Sequence, residues 1–226
     1  MNREFKVIDL THTLSARVPS WDRKADFELS IVTDYKDCTP PNLFRTHRVC
    51  ASMSLGTHMD SPAHAIVGGR TIERLTIEEL VAGCVVIDVS KEAHENYIVT
   101  PSAIEKFESE QGKIPAHSFV IFHTGWDWHW ETPEKYRNNF SFPSVEVSTA
   151  QVLLERNVVG LGIDTFSCDT GKSGFPVHQA ILGADRYLVE NIANAKSLPA
   201  VGAKIFVLPT KIEGATEAPV RLVALV

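Results

Sequence analysis

His58-Met59-Asp60-Ser61-Pro62-Ala63-His64 places two imidazoles and a carboxylate in one short stretch, with Gly56 just before it and Pro62 inside it. Imidazole nitrogen and carboxylate oxygen are donors that zinc and manganese both accept. Residues i and i+2 of an extended chain point to the same side, so His58 and Asp60 share a face. Pro62 then turns the chain and brings His64 back over the same spot. Residue types at this spacing predict a metal site.

Such a site takes three or four ligands, so more must come from elsewhere. His178 follows the glycine-rich segment Gly171-Lys172-Ser173-Gly174, where backbone can approach a ligand closely. Glu190 sits in Leu188-Val189-Glu190-Asn191-Ile192, an apolar setting in which a carboxylate is costly unless paired or coordinated. Asp164 ends an apolar run and is a candidate ligand or supporting partner. His123, at the end of Phe119–Phe122, is a candidate for the wall of a pocket. The alternation Trp126-Asp127-Trp128-His129-Trp130 puts three indoles on one strand face or around one loop. Core or interface packing is the default for them, and an aromatic wall for a planar substrate is the sharper reading. His12, His47, His94, His117 and His129 read as surface or internally satisfied residues. Cys38, Cys50, Cys84 and Cys168 form no CxxC pair, and Cys84 and Cys168 read as small buried hydrophobes.

The elements that must hold these residues are short. Lys6–Leu10, Phe27–Val32, Val85–Val89, Phe119–Phe122, Val158–Ile163, Lys204–Leu208 and Arg221–Leu225 read as strands. Four of them are almost continuously apolar, which predicts burial on both faces. Helices are expected from the caps at Thr76 and Thr100, over Ser148–Arg156, and from about His178. No repeat, low-complexity tract or linker interrupts the 226 residues, so one compact α/β domain spanning 1–226 is the economical arrangement. A net charge of -6 argues against a nucleic-acid groove. The charged start Met1–Phe5 lacks the apolar run of a signal peptide, and no apolar stretch is long enough to cross a bilayer. A cytoplasmic protein acting on a small molecule is expected, with neither nucleic acid nor membrane as partner.

Ser54-Leu55-Gly56-Thr57-His58-Met59-Asp60-Ser61-Pro62-Ala63-His64 resembles the hallmark of the cyclase family of metal-dependent hydrolases, which includes arylformamidases and isatin hydrolases. Asp9–Leu14, Gly69–Ile72, Leu80–Gly83, His123–Trp126, Gly162–Asp164 and Leu182–Ala184 resemble weaker blocks of the same family, so the resemblance covers most of the chain. It implies a single compact domain of the swivelling β/β/α kind, with a mixed sheet flanked by helices and strands contributed by both ends. It implies that His58, Asp60, His178 and Glu190 bind one or two divalent ions, zinc or manganese, and that His64 is the general acid/base. The implied activity is hydrolysis of an amide, formamide or lactam bond, the ion activating water and polarising the carbonyl. Homodimers or homotetramers are implied too. In some members the neighbouring subunit's N-terminal segment closes the pocket, which points to Pro19-Ser20-Trp21-Asp22 here. Trp21, His123 and Trp126 are the candidate substrate contacts. The chain departs from the family where Ser54 replaces a histidine four residues before His58. A hydroxyl is a poorer zinc ligand than imidazole, so the site either holds one ion or has altered chemistry. A non-catalytic metal- or ligand-binding relative and a cyclase or dehydratase are the alternatives.

Overall fold

The structure is a computed structural model that describes residues 5–22 and 27–226; the charged start at 1–4 lies outside the described residues. Along the chain, β1 (Val7–Asp9) is followed by β2 (Phe27–Thr33), β3 (Thr46–Ala51) and β4 (His58–Asp60). Next come α1 (Ile77–Leu80), β5 (Val81–Asp88), β6 (Ile98–Val99), α2 (Pro101–Gln111) and β7 (Ser118–His123). The remainder is α3 (Pro133–Arg137), β8 (Ser144–Val145), α4 (Val147–Glu155), β9 (Gly160–Ile163), α5 (Pro176–Gly183), β10 (Tyr187–Glu190), β11 (Ala203–Pro209) and β12 (Glu217–Leu225).

Eight strands form one mixed sheet in the order β1-β12-β11-β5-β7-β9-β10-β4, and β12 also pairs with β4, so the sheet closes into a barrel-like ring. The centre, β5-β7-β9-β10, is parallel, and the remaining pairings are antiparallel. One apolar cluster collects Ile8, Met59, Phe119, Tyr187, Ile205 and Leu222 from strands around the ring and fills its interior. A second cluster takes the alternate residues, among them Val120, Phe122, Leu161, Ile163 and Leu188, and packs them under α2, α4 and α5. Strands buried on both faces carry no polar alternation, which accounts for the continuous apolar runs.

Two glycines on β9 make the interior possible. A Cβ on Gly160 would come within 2.8 Å of the Tyr187 carbonyl oxygen, and one on Gly162 within 2.9 Å of the Phe119 ring. The stacked Phe119 and Tyr187 rings, 5.6 Å apart, occupy that space.

All seven expected strands form, with one difference of context. β2 joins β3 in a separate two-stranded ribbon rather than the main sheet. Helices start where the caps at Thr76 and Thr100 place them, and the Thr76 N–H donates to Glu79 Oε2 at 2.8 Å. Among the described residues, no helix is long and apolar enough to cross a membrane. The tryptophan segment is not a strand. Residues 126–129 form a 3-10 turn, so Trp126 and Trp130, four apart, both turn inward to an aromatic cluster with Tyr136, Phe142 and Phe166. Trp128, between them, is 74% exposed.

Candidate metal centre

β4 lies between β10 and β12, and its register assembles the site. Glu190 stands directly opposite His58, and Glu217 on β12 stands directly opposite Asp60. Met59 points into the ring interior while His58 and Asp60 share the other side, as the i, i+2 spacing requires. His178 enters from the first turn of α5.

Four side chains converge there. His58 Nε2 is 3.6 Å from Asp60 Oδ1 and 3.7 Å from Glu190 Oε2; His178 Nε2 is 3.6 Å from Asp60 Oδ2 and 3.5 Å from Glu190 Oε1. All four are buried, and neither oxygen of Asp60 has a hydrogen-bond partner. Two donors each about 2.1 Å from a shared ion and about 110° apart stand about 3.4 Å from each other. The spacing and the two orphaned oxygens therefore fit a divalent metal ion.

The surrounding groups aim the imidazoles. His58 Nδ1 lies 2.9 Å from the Gly56 carbonyl oxygen, which fixes the proton there and leaves Nε2 a lone pair for the ion. Asn191 Nδ2 donates to the same carbonyl at 2.9 Å, and Tyr136 Oη donates to Asn191 Oδ1 at 2.8 Å. His178 Nδ1 lies 2.8 Å from Asp169 Oδ2, and Asp169 also accepts the Val177 and His178 backbone N–H groups at the start of α5. Carboxylate behind imidazole is the usual support of a metal-bound histidine. Asp169→Asn is therefore expected to weaken metal binding about 10- to 100-fold, read by competition with a chelator, and an unchanged affinity would contradict that role.

The charges of the cluster suit a bound cation. Burial opposes ionisation of Asp60, yet His58, His178 and His64 together hold its carboxyl below the usual range. Burial raises Glu190, with His178 and His58 opposing it incompletely. Burial also opposes protonation of His178, but the hydrogen bond to Asp169 and the nearby carboxylates of Asp60 and Glu190 prevail and lift it to about 10.

His58, Asp60, His64, His178 and Glu190 line a cavity of about 290 Å³. The residues Pro62–His64 form a 3-10 turn that sets His64 on the cavity rim, where Nδ1 contacts Glu217 Oε2 at 2.5 Å. That contact raises the His64 pKa above the ordinary value, against partial burial. Trp21, Phe166 and Phe175 supply aromatic walls, with Ser20, Ser52, Ser54 and Ser167 among the remaining lining. A larger hollow of about 910 Å³ around Arg17, Glu131 and Glu134 contains none of the ligands.

The six residues Trp21, His58, Asp60, His64, His178 and Glu190 thus meet at one cavity, whereas His123 and Trp126 are not among its lining residues. Trp126 is held in the aromatic cluster, its Nε1 donating to the Tyr136 carbonyl at 2.8 Å. Asp164 accepts hydrogen bonds from Thr124 and Gly125 and does not reach the cavity lining. Asp169 and Glu217 are absent from the sequence reading. Asp169 had a signal, an acidic residue upstream of a helix start; Glu217 had none, because only cross-strand register brings it here. His12 differs from the expectation of a satisfied residue: it stacks on Trp130 at 3.8 Å, its Nε2 has no partner, and burial lowers its pKa to about 4.

Residues 8–170 match the family model described as "Putative cyclase", and the chain belongs to this family of metal-dependent hydrolases. The chain is 29% identical to the isatin hydrolase of Roseibium aggregatum over 249 residues, covering 100% of this chain and 94% of that protein. It is 25% identical to the kynurenine formamidase of Polaromonas naphthalenivorans over 179 residues, 78% of this chain and 73% of the relative. The crystal structure of an isatin hydrolase bound to the product analogue thioisatinate superposes with a TM-score of 0.90 at 28% identity, covering 99% of this chain and 93% of the other. Isatin hydrolase A from Ralstonia solanacearum gives 0.89 at 31% identity, with 98% and 92% covered.

Proposed function

We propose that the chain hydrolyses a C–N bond other than a peptide bond, in an aromatic lactam or formamide of the isatin type. His64 acts as general acid/base, and His58, Asp60, His178 and Glu190 hold one zinc or manganese ion. The observation that carries this reading is the coincidence, in one cavity, of four converging ligands with an imidazole paired to a carboxylate. The chemistry the ion supplies when bound is Lewis acidity, which acidifies water and polarises a carbonyl. The protein supplies the rest. Glu217 holds His64 at Nδ1 and so directs Nε2 to the cavity, the arrangement by which a carboxylate orients a catalytic base. Nε2 takes the proton of the attacking water as oxygen bonds to the carbonyl carbon. The C–N bond then breaks, its electron pair stays on nitrogen, and His64 returns the proton there. Trp21, Phe166 and Phe175 exclude water and hold a planar ring against the cluster.

The test is turnover of isatin, N-formyl anilides and cyclic imides by protein reconstituted with zinc or manganese, with metal-stripped protein as control. Metal-dependent ring opening of isatin is the expected result. Metal retention without turnover of any of them would favour the non-catalytic reading, and a non-hydrolytic product would favour a cyclase or dehydratase.

We further infer that the working unit is a homodimer or homotetramer, on account of the β2–β3 ribbon. Leu29 pairs with Val49, and with Ile31 they form one face of it; all three are more than half exposed. Glu28, Ser30, Arg48 and Cys50 take the opposite face. An isolated two-stranded ribbon is marginal in water, and an alternating apolar face needs cover. A second copy provides it. Light scattering should give at least twice the 25.0 kDa chain mass, and Ile31→Lys should lower it; a monomeric parent protein would contradict the inference.

A further inference from the structure

Outside the cavity, a second group of side chains is arranged as a ligand set. The parallel strands β5, β7 and β9 end side by side, carrying Asp88, His123 and, one residue past β9, Asp164. The carboxyl ends of parallel strands are where α/β sheets bind ligands. His123 is only 1% exposed. Its Nδ1 lies 3.1 Å from Asp88 Oδ1. With that proton donated to Asp88, Nε2 presents a lone pair. It has no hydrogen-bond partner, and it faces Asp164 Oδ2 at 3.9 Å. Asp127, on the 3-10 turn after β7, completes the group. Its Oδ2 accepts the Asn194 N–H at 3.1 Å, while its Oδ1 is buried without a partner. One ligand atom from each of His123, Asp127 and Asp164 lies within 4.8 Å of the others.

Three acceptors thus surround a gap with no donor among them. Two of them, His123 Nε2 and Asp127 Oδ1, are buried without a partner, and Asp164 sets an anionic oxygen beside them; a divalent cation takes a lone pair from all three. Asp164 is held as metal carboxylates are, by Thr124 N–H, Thr124 Oγ1 and Gly125 N–H. Asp127 also lines a surface hollow of about 610 Å³, which gives an ion a way in.

We propose that His123, Asp127 and Asp164 form a second, structural site for a zinc-class divalent ion, with Asp88 orienting the imidazole. The ion ties the ends of β7 and β9 to the turn that carries Trp126 and Trp130. It takes no part in the cavity chemistry.

The test is metal content of the full chain after loading with zinc and dialysis. Asp127→Asn should lower it by one equivalent per chain. Asp60→Asn, which disables the cavity site, should keep one equivalent that is lost in the Asp60→Asn/Asp127→Asn double variant. Zinc should also raise the melting temperature of Asp60→Asn but not of the double variant. Equal zinc content in the parent protein and Asp127→Asn would overturn the proposal, and that comparison decides even where an Asp60 variant fails to fold. A correctly folded Asp60→Asn chain that keeps no zinc would overturn it equally.

Discussion

Asp60→Asn should release the cavity ion and lower kcat/KM by roughly 10³-fold or more. Asp60 faces both imidazoles of the cluster, His58 on one oxygen and His178 on the other, and accepts no hydrogen bond. An amide in its place keeps the shape but loses the negative charge and one of the two acceptors. The two imidazoles and Glu190 then remain, and the ion loses the group that both imidazoles face. A Lewis acid supplies several kcal/mol of transition-state stabilisation, and each 1.36 kcal/mol is a factor of ten in rate. Metal content should fall by one equivalent while the circular dichroism spectrum is retained. Parent-level activity in Asp60→Asn would remove the cluster from the mechanism.

His64→Ala should separate the two halves of the site. His64 sits on the rim with its side chain 35% exposed, so truncation leaves only a shallow gap. A ring nitrogen of His64 lies within 4.8 Å of ligand atoms of Asp60 and His178, but His64 is not one of the four proposed ligands, so the ion is expected to stay. General acid–base catalysis contributes about 10²- to 10⁴-fold, and a loss of that size in kcat, with unchanged metal content, is expected. Full turnover in His64→Ala would rule out the proton-transfer role.

How far the site was legible depended on how local each contact is. His58 and Asp60 lie two apart in an extended segment, so their shared face follows from strand geometry alone. His178 and Glu190 were visible only as a histidine after a glycine-rich loop and a carboxylate in an apolar run; the resemblance to the family joined them. What joins them physically is the β10–β4 register, which sets Glu190 against His58. Glu217 depends on the β12–β4 register in the same way, with no local mark. For the fold, continuous apolar runs identified the buried strands, but closure of the ring needs β12 to pair with both β11 and β4, which no segment encodes by itself. Core packing, the default for indoles of this size, holds for Trp126 and Trp130, whose helical spacing turns both inward; the wall reading fails for Trp126.

The measurement that bears most directly on the proposed chemistry is a crystal structure of the metal-loaded chain with anomalous diffraction at the metal edge. A peak bonded to His58 Nε2, Asp60, His178 Nε2 and Glu190, with His64 facing it from the rim, is the expected result. A loaded, active protein with no peak among those four residues would contradict it.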